Sequence, residues 1–201
     1  MTSKIITVIC LFFSLSSFAE VAFTTASNDA DEIKIKDGLT DLHSSYDIKR
    51  WTYTNEVEID KNARTPHSHP ILTMNTSPKY LKDSSLLLAT YLHEQFHWHI
   101  VKNRVGSFDD FTDDIKVNFP NVRAERPYGS GSESGTLSHI ITCYLEFKAV
   151  SILLGAEQAK KILSSKGYYT WVYQTVLNPN NKAKLEALLT KYALQIGVQN
   201  S

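Results

Sequence analysis

Two stretches of the chain repeat apolar residues every three to four positions and read as long helices. In the first, Leu88, Leu92, Phe96 and Ile100 follow Asp83, Ser84 and Ser85, which are good capping residues, so a helix is predicted over 84–103, stopped by Gly106. In the second, Leu137, Ile140, Ile141, Tyr144, Leu145, Ala149, Ile152 and Leu153 run from a capping Thr136 to Gly155. Shorter helices are predicted over 156–165 and 180–195, with Tyr168, Tyr169, Trp171 and Tyr173 clustered between them. Upstream the period changes to two. Arg50 to Ile59 alternates bulky and polar residues, and Pro70 to Asn75 follows as a second strand, with the proline-bearing 62–70 link as a hairpin loop.

Other segments carry weaker patterns. Residues 20–46 mix Thr, Ser, Asn, Asp and Gly with few large apolar side chains, and are expected to be a flexible lead-in. Residues 107–128 read as a charged surface excursion and 129–135 as a flexible loop. The expected architecture is α+β, a small N-terminal sheet followed by two long helices.

The first residues change the setting. Lys4, the apolar run Ile5–Phe13 and the small-residue site Ser17-Phe18-Ala19 read as an export signal over 1–19, which leaves one domain over 47–201 after the lead-in and a secreted or periplasmic location. This nine-residue run is too short to span a bilayer, which takes about 20, and no later segment is expected to insert stably in a membrane. Cys10 follows Val8-Ile9, where lipidation wants a small residue. With 21 basic and 21 acidic residues the chain is neutral, which argues against nucleic acid as a partner. Beyond the leader only Cys143 remains, so no internal disulfide forms, and its apolar setting reads as a small buried hydrophobe.

The first long helix carries His93-Glu94-Gln95-Phe96-His97. Two histidines four residues apart project from one helical face and can reach a single metal ion, and Glu94 sits beside them as a carboxylate able to take a proton from water. With 7 His and 10 Glu in 201 residues, chance would place His-Glu-x-x-His in about one such sequence in a hundred. At these residues the chain resembles the zincins, the superfamily of His-Glu-x-x-His metallopeptidases.

The resemblance implies a Zn2+ cofactor, a peptide or protein substrate, and hydrolysis by a zinc-activated water with Glu94 as general base. A hydrolytic zinc needs a third protein ligand. The metzincin branch is excluded, because Ile100 and Asn103 stand where it has glycine and histidine. The gluzincin branch draws a glutamate from a second helix, and Glu146 stands in that helix, although Leu145 and Val150 replace the residues that often accompany it. A carboxylate facing inward from such an apolar helix needs a cation or strong donors, which zinc would supply. The expected metal ligands are therefore His93, His97 and Glu146, on a motif helix and a second ligand-bearing helix.

His139, seven residues before Glu146 on the same face, is the rival third ligand, and otherwise a catalytic group that donates to the oxyanion. Tyr169 and Tyr173 are further oxyanion candidates. His99 should face away from the metal, and His67 and His69 read as turn histidines near the cleft. The alternatives to a secreted peptidase are a non-catalytic binding protein that keeps zinc as a structural staple, and an interaction domain presenting the aromatics near Tyr168.

Overall fold

A computed structural model describes residues 20–197. The export signal expected over 1–19 lies outside these residues. The stretch expected to be a flexible lead-in is instead strand β1 (Ala22–Thr25) and helix α1 (Ala30–Ser45). Asp29 caps α1 by accepting from the Asp31 N–H at 3.0 Å, and Glu32 reaches back to the Asp29 N–H at 3.3 Å. The Glu32 carboxylate also accepts from Ser27 N, Ser27 Oγ and Lys61 N, at 2.9–3.0 Å, so it is buried without an unmet lone pair and ties α1 to the chain after the second strand. Ile35, Leu39 and Leu42 recur at helical spacing on the face that this helix buries.

Strands β2 (Glu56–Ile59) and β3 (Leu72–Met74) complete a three-stranded sheet in the order β1-β2-β3. All neighbours run parallel, with Phe23 opposite Val57 and Ile59 opposite Met74. The expected hairpin between the second and third strands is therefore absent. The connection first doubles back, and His67 exchanges backbone bonds of 3.0 and 2.8 Å with Thr73 in an antiparallel bridge along the far side of β3. Val57, Ile59, Leu72 and Met74 all enter the core. The front of the expected first strand is a 3-10 turn, Lys49–Trp51, that buries Trp51.

Seven helices follow: α2 (Pro78–Lys82), α3 (Ser84–Asn103), α4 (Phe108–Asn118), α5 (Glu133–Leu154), α6 (Ala156–Ser164), α7 (Thr170–Leu177) and α8 (Lys182–Lys191). Asp83 caps α3 by accepting from Ser85 N and Leu86 N at 2.9 and 3.1 Å. Each large apolar side chain that α3 buries, such as Leu88, Leu92 or Phe96, contributes about 1.5–3 kcal/mol. α4 occupies the region expected to be a surface excursion, with Phe111 and Ile115 facing inward beneath its acidic outer face.

Ser132, rather than Thr136, caps α5, and Gly155 ends it at φ +87°, a backbone region that suits glycine. α5 is long and apolar enough to cross a bilayer, contrary to the expectation that no segment after the leader would be. More than half of its apolar window is buried, because it packs against α3, α4, α6 and α7 as the core helix of an α+β fold.

Gln95, inside the motif, fixes where the sheet side meets α3. Its Oε1 accepts from Tyr53 N at 2.8 Å and Thr54 N at 3.0 Å, while Nε2 donates to Thr54 O at 3.1 Å and to the Tyr91 hydroxyl at 2.9 Å. The side chain is buried and fully used.

Candidate metal centre

The motif histidines lie on the face of α3 that meets α5. His93 Nε2 and His97 Nε2 are 3.3 Å apart. A tetrahedral ion with metal–nitrogen bonds of about 2.0–2.1 Å separates its ligand nitrogens by about 3.3–3.4 Å, so the pair already has the spacing that zinc requires. His139 approaches from α5, and one nitrogen of each of the three histidines lies within 4.8 Å of the others. The Nδ1–H of His139 donates to Gly135 O at 2.6 Å, which leaves its Nε2 lone pair for a ligand. Burial, followed by the charge of His93, lowers the His139 pKa to about 4; burial and both neighbouring histidines drive His97 well below its ordinary value. Both rings are thus neutral and able to coordinate.

Glu146 stands one shell back. Its Oε2 accepts from His93 Nδ1 at 3.0 Å and from the Tyr173 hydroxyl at 2.9 Å, and its Oε1 forms an ion pair with Lys166. The Lys166 ammonium is itself buried, reached from the link between α6 and α7. Burial alone would raise the Glu146 carboxyl; Lys166 and His93 outweigh it and hold the group below its ordinary value. The cation that a carboxylate in this apolar helix needs is therefore a lysine ammonium. Burial would lower His93 as well, but the Glu146 carboxylate that accepts from its Nδ1 holds it up, and a bound divalent ion would displace the proton from its Nε2.

A second group of donors, His93, Cys143 and Glu146, also lies close together. There the His93 nitrogen nearest Cys143 is the one bonded to Glu146, and the Lys166 charge already occupies the carboxylate. The Cys143 thiol, whose pKa burial pushes up, remains a protonated packing group 4.0 Å from His93 Nδ1. The three-histidine set fits a divalent ion better on donor chemistry alone.

The histidines form the floor of a cavity of about 790 Å³. Glu94 lines it beside them, and burial raises its pKa against the opposing pull of His93 and Lys166. Tyr168 and Tyr169 wall one side. The Tyr169 ring lies 4.3 Å from that of His139 and parallel to that of His93 at 6.0 Å, and its backbone takes a left-handed φ of +54° at the entry to α7. Gly129 lines the same cavity, and a Cβ there would meet Thr136 Oγ1 at 2.5 Å and collide with Arg123 O, so only glycine lets this loop pass.

Of the residues singled out in the sequence, His93, Glu94, His97 and His139 meet at one floor, with Tyr169 on the wall and His67 at the rim. Tyr173 is engaged by Glu146 rather than open to the cavity. His69 stacks on Trp98, and His99 bonds Leu194 O at 3.2 Å, away from the centre as expected. Sequence reasoning missed Lys166, because a lysine in a short polar link ordinarily points to solvent. The one signal was indirect: a glutamate in an apolar helix calls for a cation somewhere in the chain. Comparison with known proteins adds nothing to this geometry, as the chain matches no family model, no curated protein and no solved structure.

Proposed function

We propose that the chain is an exported, zincin-like zinc peptidase whose metal is held by His93, His97 and His139, with Glu94 as general base. The observation that carries this reading is the 3.3 Å separation of two Nε2 atoms at the floor of a cavity that Glu94 also lines. Glu146, which the gluzincin resemblance suggested as third ligand, takes a different part: it fixes the His93 tautomer by accepting from Nδ1, and so directs Nε2 at the metal. His139 moves from the substrate side to the coordination shell.

When bound, zinc supplies Lewis acidity that polarises water and the scissile carbonyl. Glu94 accepts the proton of the attacking water and delivers it to the leaving amine, a task suited to a carboxyl whose pKa burial has raised. Tyr169, whose hydroxyl is not engaged by Glu146 as that of Tyr173 is, stands on the cavity wall as the tyrosine available to the developing oxyanion. The open cavity favours hydrolysis over a purely structural zinc staple, whose shell would be closed.

The test is metal analysis of purified protein followed by a chelator-sensitive peptide-library assay with Glu94→Gln. That variant should keep its zinc and lose turnover. Undiminished turnover in the variant would remove Glu94 from the mechanism.

A further inference from the structure

The cavity rim carries charge of one sign. Arg64 comes from the connection ahead of β3, Lys79 from α2 and Arg126 from the loop ahead of α5, and all three line the same opening. Among the described residues none of them has a carboxylate within ion-pair distance, whereas nine other lysines and arginines do. Lys79 rests over the rings of Tyr80 and Tyr168 at 4.9 and 5.0 Å, contacts that hold an ammonium without neutralising it. Arg126 has only a 3.4 Å bond from Nε to Ser130 O.

Among the described residues the sole carboxylate in the lining is Glu94. A bound divalent ion would more than cancel it. The chain as a whole is neutral, so this excess is local to the opening and is not a reflection of bulk composition. Burial and the charge of Lys166 lower the Lys79 pKa, which is the response of an ammonium that meets positive potential and no counter-ion.

We infer that the cavity selects acidic peptides, with glutamate or aspartate side chains near the scissile bond answering Arg64, Lys79 and Arg126. This specificity rests on the peptidase reading for its chemistry, but binding alone can test it.

Zinc-loaded Glu94→Gln protein would be titrated, by fluorescence anisotropy, with labelled peptides of one length that are glutamate-rich, uncharged or lysine-rich. The glutamate-rich peptide should bind at least about tenfold more tightly than the uncharged one, and high salt should erase most of the difference. Replacing Arg64, Lys79 and Arg126 together by glutamate should invert the order, and replacement by glutamine should level it. The three residues are exposed, so zinc content and circular dichroism should be unchanged, and the glutamine set serves if the glutamate set does not fold.

Equal affinity for glutamate-rich and uncharged peptides, or a preference that survives the substitutions, would overturn the inference. So would stronger competition by inorganic polyphosphate than by the acidic peptide, since the occupant would then not be a peptide. Acidic-peptide binding by a wild-type protein that never cleaves would leave the inference standing and remove the peptidase reading. Equal cleavage of acidic and neutral peptides would do the reverse.

Discussion

At the scale of single residues, the centre is a chain of dependence from Lys166 to Glu146 to His93. Substitutions at Lys166 and Glu146, and at the neighbouring His139, have distinguishable expected results. His139→Ala deletes a ligand and should abolish tight zinc binding. Glu146→Gln and Lys166→Met spare all three ligand nitrogens and disturb only the orientation of His93, so zinc affinity should fall by about 10–100-fold. Lys166→Met should also cost about 3–5 kcal/mol of apo stability, because it strands a buried carboxylate, and Lys166→Arg should restore part of both. Competitive zinc titration and denaturant unfolding of the four variants separate these outcomes; if Glu146→Gln lost zinc entirely while His139→Ala kept it, the ligand assignment would have to be exchanged. His93, Glu94 and His97 were legible in the sequence because one helical turn defines their relation. The Glu146–Lys166 pair was half legible. A helix pattern exposes the buried acid but says nothing about which distant loop returns with the base.

At the scale of elements, α3 and α5 were read correctly because a long run of apolar periodicity leaves little choice of structure. α1 and α4 were not. Ile35, Leu39 and Leu42 in α1, and Phe111 and Ile115 in α4, are the only large apolar anchors on those buried faces, and dense charge on the outer faces masked them. The parallel pairing of β2 and β3 was hidden for another reason: the antiparallel pairing expected from the short link does occur, but between His67 and Thr73.

The element that most affects the site is α3, and the Gln95 amide is one of its holds on the preceding chain. Gln95→Leu would leave the Tyr53 and Thr54 N–H groups and the Thr54 carbonyl without their partner, at about 1–3 kcal/mol for each group that water cannot reach. The expected result is a clear loss of stability in chemical denaturation, with the zinc affinity of the surviving folded protein close to wild type, because Gln95 bonds away from the metal side. A variant as stable as the parent would show that this clamp contributes little.

At the scale of the whole molecule, the described chain contains one free cysteine and no cross-link, and its three-histidine floor joins α3 to α5. An ion bound only by the folded state stabilises that state by mass action, about 2.7 kcal/mol at a hundredfold excess over Kd. Zinc should raise the Tm, EDTA should reverse the rise, and the His139→Ala protein should show neither effect. A Tm indifferent to both in the parent chain would mean that the three histidines do not hold zinc.

Both lips of the cavity are anchored through main chain. On one, Thr170 N and Trp171 N bond Pro127 O and Tyr128 O at 3.1 and 3.2 Å, joining the Tyr169 turn to the neighbouring loop; on the other, Trp98 Nε1 holds Ser68 O at 2.7 Å and Asn75 reaches Ala63 O and Arg64 O. These bonds tie each lip of the entrance to a neighbouring part of the chain. A ligand should therefore meet an aperture already shaped, at little cost in ordering entropy on docking.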